Sequence, residues 1–182
     1  MDAQRSVTNA DLYAADFAAW CLTTAALVRT GQWEAINVEA LAEELESLGK
    51  SQQRELESRL GELLLHLLKW VFQPERRQDS HSWADSILDQ RTQLASLLRD
   101  NPSLQPKVPA IMGDVYRHAR ERAIIAMAPQ TRSHASVQRD IPALLRRSTL
   151  PLSCPWTDQE VLSKDFWPPT LGELLRGHEH HS

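Results

Sequence analysis

The side chains of this chain that could do chemistry lie mainly between Glu44 and Arg91. Glu62 stands four residues before His66, so on a helix the carboxylate and the imidazole can touch. Heptad steps connect Arg59, His66 and Gln73, and also Glu55, Glu62 and Lys69. With an advance of about 100° per residue from Leu41, the first set falls within about 40° of an apolar stripe. The second set, with Glu44, runs along its edge. Polar groups turned inward need partners, because an unpaired buried charge is costly. Arg91, between Ile87 and Leu94 on another apolar face, is a natural partner for Glu44, Glu55 or Glu62. Two readings follow. In one, buried Glu, His and Arg satisfy each other and fix how the helices register. In the other, Trp70 and Trp83 wall a pocket in which His66 serves as acid, base or ligand near neutral pH.

A metal site would be a sharper version of the pocket. Glu62 with His66 and, further on, His118 with Glu121 would offer carboxylates and imidazoles from two facing helices. The Glu-x-x-His pair usual in such bundles is absent from both segments, and Arg117 and Arg120 beside His118 would repel a cation. No metal or other cofactor is therefore expected. His178, His180 and His181 fall in a tail expected to be disordered. There is no phosphate loop, Gly-x-Ser-x-Gly elbow or zinc spacing. Arg117, Arg120, Arg146 and Arg147 could contact phosphates. A net charge of −4 and the lack of any recognisable DNA-binding motif count against that use.

The elements that must carry these residues read as helices. Asn9 can cap a first helix from about Ala10 to Arg29, which Gly31 ends. Asn37 can cap a second region in which Leu41, Leu45, Leu48, Leu56, Leu60, Leu63, Leu67 and Trp70 recur with a period near 3.6. The stripe keeps its phase across Gly49, which predicts either one long kinked helix or two helices nearly in line, ending near Phe72 before Pro74. Ser82 with Asp85 reads as a capping-box-like start of a third helix, stopped at Asp100-Asn101-Pro102. Ser103 is expected to cap a fourth, whose first turns tolerate Pro106 and Pro109 and which runs to Pro129. Short helices are expected at Ile141 to Arg147, at Asp158 to Leu162 behind Thr157, and at Leu171 to Arg176. Cys154-Pro155-Trp156 and Phe166-Trp167-Pro168 are aromatic anchors that should strap this tail onto the rest. The expected fold is all-α, a helical bundle of about four long helices with a short-helix, aromatic-anchored C-terminal tail.

At 182 residues the chain is in the range of one helical domain, spanning residues 1–182 with an ordered core over about 10–168 and flexible ends at 1–8 and 170–182. Charge is unevenly spread. Between Glu34 and Glu62 eight acids face three bases, while between Val115 and Leu150 seven arginines face two acids. Complementary faces meeting within the fold or across a dimer explain this, and a basic groove for an anion is the alternative. Cys21 and Cys154 form no Cys-x-x-Cys pair and read as reduced cytosolic thiols, with a disulfide between them as the alternative. No stretch resembles a signal peptide or a membrane span.

Several segments together resemble a known family. They are Leu41-Ala42-Glu43-Glu44-Leu45-Glu46-Ser47-Leu48-Gly49, then His66-Leu67-Leu68-Lys69-Trp70-Val71-Phe72-Gln73-Pro74-Glu75-Arg76. Ser82-Trp83 with Arg91, Asp100-Asn101-Pro102-Ser103-Leu104, and the two aromatic anchors follow in order. The chain is similar, from about Tyr13 to Pro168, to the bacterial family known as domain of unknown function twenty-nine. That resemblance implies a helical fold and a bacterial source, and carries no activity or catalytic residues with it. The expected function is that of a non-enzymatic helical module in the cytoplasm, binding another protein or a second copy and no membrane. A ligand-binding or catalytic bundle centred on His66, Glu62 and Arg91 is the alternative, and nucleic-acid binding through residues 117–147 a further one.

Overall fold

A computed structural model describes residues 9–76, 81–128 and 134–169; of 76, 81, 82 and 134–140 it describes the backbone alone. Among the described residues there are helices and no strand. They are α1 (Asn9–Ala15), α2 (Phe17–Arg29), α3 (Val38–Phe72), α4 (His81–Asp100), α5 (Lys107–Ala126), α6 (His134–Arg147) and α7 (Asp158–Leu162). The fold is all-α. The chain divides into two compact units, Met1–Ser51 and Gln52–Ser182. The sequence reading draws no boundary at Ser51, because the stripe of α3 passes it in one phase. The expected turn at Leu171 to Arg176 and the expected flexible ends lie outside the described residues.

In the first unit, the single helix expected from Ala10 to Arg29 is two. The Asp16 backbone leaves the helical region (φ −152°, ψ 89°) and its carboxylate accepts from the Ala19 amide at 2.9 Å, so Asp16 caps a new helix. Asn9 is not a cap but the first residue of α1. Its side chain accepts from Trp20 Nε1 (3.1 Å) and donates to Thr24 Oγ1 (2.9 Å), which ties α1 to the buried face of α2. Tyr13, Phe17 and Trp20 pack ring on ring, with centroids 4.9 Å apart for Tyr13 and Trp20 and 5.5 Å for Phe17 and Trp20. Gly31 closes α2 in the left-handed region (φ 70°). The Gln32 amide reaches the Leu27 carbonyl (3.0 Å) and the Gly31 amide that of Val28 (3.2 Å), the Schellman pattern that only glycine adopts without strain. Asn37 caps α3 as expected, accepting from the Ala40 amide at 3.1 Å.

α3 runs unbroken for 35 residues through Gly49. One interior glycine costs about 1 kcal/mol against alanine, too little to stop a helix flanked by good helix formers. Past Ser51 its apolar residues spread over adjacent faces: Leu56, Leu60, Leu63, Leu64, Leu67 and Leu68 are all buried. A helix apolar on several sides needs neighbours on several sides. α4 supplies Ile87 and Leu94, and α5 supplies Val108, Tyr116, Ala119 and Ala123, to one core.

The starts of α4 and α5 differ from the sequence reading. α4 begins at His81, so Ser82 lies inside it. Ser103 sits in a 3-10 turn, Pro102–Leu104, and α5 begins after Pro106. Proline is tolerated in a first helical turn, where its missing N–H has no partner to lose, and this decides the start. α6 starts seven residues before Ile141 and carries Pro142 within it. α7 has the expected bounds, with Thr157 and Glu160 closing a full capping box.

Residues 148–168 lie against α4 and α5 as the aromatic anchors suggested. Leu150 and Val161 join the core, and Cys154, Trp156 and Trp167 pack on it. Cys21 and Cys154 are both free thiols. Among the described residues, no helix is long and apolar enough to cross a membrane.

Candidate functional site

The polar residues singled out in the sequence separate into distinct groups. Glu44 belongs to the first unit, where it accepts from the Tyr13 hydroxyl at 2.7 Å; this bond, with burial and the nearby carboxylates, holds the Tyr13 phenol above its usual range. Glu55 is held on its own helix by Arg59 Nη2 at 2.8 Å. Glu62 is bound across to α5, its Oε1 accepting from Arg122 Nη2 at 2.7 Å. This pair is half-exposed, so its net contribution is about 0.2–1 kcal/mol.

His66 and Lys69 follow Glu62 along α3. Burial is the largest influence on His66 and lowers its pKa; Lys69 and Arg122 lower it further, against a weaker upward pull from Glu62. Burial also lowers Lys69, with Glu62 opposing and Arg122 adding to the fall. The Lys69 ammonium lies 5.9 Å from the centroid of the Trp83 ring. His66 Nδ1 is buried and has no hydrogen-bond partner. The imidazole is therefore held neutral without a carboxylate to orient it, so the Glu62–His66 dyad needed for acid–base work is not formed.

Arg91 is the largest departure from expectation. It is 1% exposed, yet no acid pairs with it among the described residues. Glu55 and Glu62 are engaged by Arg59 and Arg122, and Glu44 by Tyr13. Instead, Arg91 Nε donates to the Val161 carbonyl at 2.9 Å, an acceptor in the last turn of α7 that lacks an intrahelical donor. Its guanidinium carbon lies 5.7 Å from the Trp167 ring centroid, and Trp167 in turn meets Trp70 at 4.9 Å. Both terminal nitrogens are buried without a partner, and burial lowers the group's pKa.

Two further side chains do the same work, and the sequence reading missed both in this role. Arg120 donates through Nε (3.2 Å) and Nη2 (3.1 Å) to the Leu150 carbonyl, and the Tyr116 hydroxyl donates to the Pro151 carbonyl at 2.9 Å. Burial pushes the Tyr116 phenol up to about 12, helped by Cys154 and opposed by Arg120. Residues 116 and 120 stand one turn apart on α5, so they grip consecutive carbonyls. The available signal was an Arg inside an apolar stripe, at the i+4 position from a Tyr. Arg120 is thereby removed from the phosphate-contacting set expected of Arg117, Arg120, Arg146 and Arg147, since it is buried and committed. Arg117 pairs with Asp114, while Arg146 and Arg147 are exposed.

The metal candidates do not converge. No group of three or more His, Cys, Asp or Glu suited to a metal occurs among the described residues. His118 is exposed and lines a cleft of about 470 Å³ between α3 and α5, with Arg54, Glu57, Ser58, Asp114 and Arg122. Cations crowd that cleft at least as much as acids do.

The first unit holds a different feature. α2 and the start of α3 enclose a groove of about 440 Å³, with Phe17, Cys21, Val28, Leu41, Leu45 and Leu48 among its walls. The apolar stripe continues here in the phase it has in the core, but Phe17 is 50%, Leu45 60% and Leu48 63% exposed. Leu45 and Leu48 were expected to be buried. Periodicity marks the face; it does not supply the cover.

Compared with known proteins, the family model described as domain of unknown function DUF29 matches residues 12–167. Neither a search of curated proteins nor one of solved structures finds a match to this chain.

Proposed function

We propose that this chain, which belongs to the family described as domain of unknown function DUF29, acts by binding another protein through its first unit, without catalysis of its own. The observation that carries this reading is the uncovered groove. Large apolar side chains at i, i+4 and i+7 on α3, facing others on α2, stand open along two turns of helix. Contiguous exposed apolar surface of this kind marks interaction sites. Phe17, Leu22, Trp33, Val38, Leu45 and Leu48 are all exposed, six large apolar side chains in one short unit. We place the activity in the bacterial cytoplasm, consistent with two free thiols.

A photoreactive residue in place of Leu45, introduced in the native cell, should cross-link to a separate polypeptide. The same residue in place of Leu152, exposed in the second unit, should not. An equal yield at both positions, or none at Leu45, would remove the reading.

One set of atoms favours a second reading, a small-ligand site in the second unit. His66 Nδ1 and Arg91 Nη1 and Nη2 are buried and unpartnered. A bound molecule that accepts from Arg91 would be released by Arg91→Met while the fold stays intact. Native mass spectrometry showing no retained ligand in the unaltered protein would dismiss this reading.

A further inference from the structure

Arg91 gives the small-ligand reading of the second unit, on which this inference rests, a chemical class. The side chain is 1% exposed. Its Nε donates to the Val161 carbonyl at 2.9 Å, while Nη1 and Nη2 are buried without a partner. Four of the five N–H donors of the guanidinium are therefore unsatisfied. A buried group left so is costly, and more so when it is charged. Packing does not require that cost, because an apolar side chain could fill the same position.

Geometry, charge and surroundings each narrow what fits against this edge. Nη1 and Nη2 end a planar fork whose parallel N–H groups match the two oxygens of one carboxylate. No acid pairs with Arg91 among the described residues, and burial alone lowers its pKa, so no second charge is felt there. A singly charged anion would leave the buried site neutral. A phosphate dianion would leave it negative, with no other cation to share the excess. Ile87 and Leu94, on the same face of α4, are 0% exposed. The Trp167 ring centroid lies 5.7 Å from the guanidinium carbon, and Trp70 meets Trp167 at 4.9 Å. Around a neutralised head, this frame suits an apolar arm.

Access runs through the segment that covers the arginine. The Leu150 and Pro151 carbonyls are gripped by three hydrogen bonds from Arg120 and Tyr116, whereas Arg91 holds the Val161 carbonyl by one. Residues 161–167 are the more lightly tied part and the part that must lift to admit a ligand.

We propose that Arg91 anchors a carboxylate site beneath residues 161–167, its Nη1–Nη2 edge taking both oxygens of a singly charged carboxylic acid whose apolar arm lies against Trp70 and Trp167. Closure of the segment excludes water and strengthens the ion pair.

The test uses the isotope-labelled full chain and NMR. The Nε–H signal of Arg91 is identified by its loss in Arg91→Met, and the indole N–H of Trp167 reads binding in the variants. Sodium benzoate, sodium acetate, benzamide and inorganic phosphate are titrated separately at constant ionic strength. Benzoate should shift both signals saturably, at least tenfold more tightly than benzamide or phosphate and more tightly than acetate. Arg91→Met should keep the helical circular dichroism and lose benzoate. Arg91→Lys, which keeps the charge without the fork, should weaken benzoate at least tenfold and serves if the methionine variant does not fold.

Benzamide or phosphate binding as tightly as benzoate would overturn the carboxylate while leaving a ligand site. Acetate binding as tightly would overturn the apolar arm. Benzoate affinity unchanged in Arg91→Met or Arg91→Lys would place the probe elsewhere and overturn the site. No saturable shift with either carboxylate, a Kd weaker than about 10 mM, would overturn it as well and leave the buried nitrogens to water. If the native mass spectrum also holds no ligand, the small-ligand reading falls with it.

Discussion

Leu48 and Leu60 stand on one helix and one stripe, and the structure assigns them opposite energetic roles. Leu60 is 0% exposed in the core of the second unit, so Leu60→Ala removes buried methyl groups and leaves a cavity, at a cost of about 2–5 kcal/mol. Leu48 is 63% exposed. Full burial of a leucine side chain is worth about 1.5–3 kcal/mol, so the part of Leu48 that is covered contributes about 1 kcal/mol or less. Alanine is also the better helix former, which offsets part of that. For a chain of this length each kcal/mol moves the melting temperature by about 2–4 °C. Leu60→Ala should then lower it by at least about 4 °C and Leu48→Ala by less than that. Far-UV circular dichroism during heating and in urea, on both variants, reads the difference. A loss at Leu48 as large as that at Leu60 would mean that something in the chain covers the groove, and the docking argument would fail.

Other outcomes follow from the polar groups. His66 is held neutral by burial, so its folded pKa lies below the free value of 6.5; the stability that it contributes is complete above 6.5 and drains as pH falls through and below it. His66→Gln should flatten the melting-temperature profile between pH 5 and 8 relative to the unaltered chain; equal slopes, or an imidazole titrating above 6.5 by NMR, would contradict the placement. Arg91→Met gives up one hydrogen bond and three polar nitrogens' worth of desolvation, so stability should change by no more than about 1 kcal/mol, or rise. A loss above about 2 kcal/mol in urea would show that the terminal nitrogens have partners. Tyr116→Phe with Arg120→Met frees the Leu150 and Pro151 carbonyls, and hydrogen exchange should quicken across 148–156 before it does in α5; unchanged protection there would refute the clamp. Both tyrosines, Tyr13 and Tyr116, are raised above 10.0, so phenolate absorbance in the folded protein should rise with its midpoints above pH 10. Midpoints at or below pH 10 would contradict the burial of Tyr116 and the bond from Tyr13 to Glu44.

Much of the helical frame was legible because its signals are local. The Asn37 and Thr157 caps, the ends at Phe72 and Asp100, and the core positions of α4 follow from side chains within a few residues of each other. The break at Asp16 was missed because an aspartate inside an apolar run reads as surface until its φ is known. The Arg91 partner was missed for a different reason. A carboxylate can be found in a sequence, whereas the acceptor used here is a backbone carbonyl seventy residues away, at the end of a five-residue helix. The same holds for Tyr116 and Arg120, whose acceptors are also main-chain. The groove was hidden by success elsewhere: the Leu41–Leu48 stripe is indistinguishable by spacing from the Leu56–Leu67 stripe, and only the tertiary structure tells which half has a cover.

Cys21 offers the most direct measurement of that difference. It is exposed and lines the groove, while Cys154 is partly buried and burial raises its thiol pKa, which slows alkylation. In the purified chain, a maleimide should label Cys21 rapidly and Cys154 slowly. In permeabilised native cells, with the partner seated, Cys21 labelling should slow at least tenfold and Cys154 should not change. Cys21 labelled as quickly in the cell as in the purified protein would contradict an occupied groove.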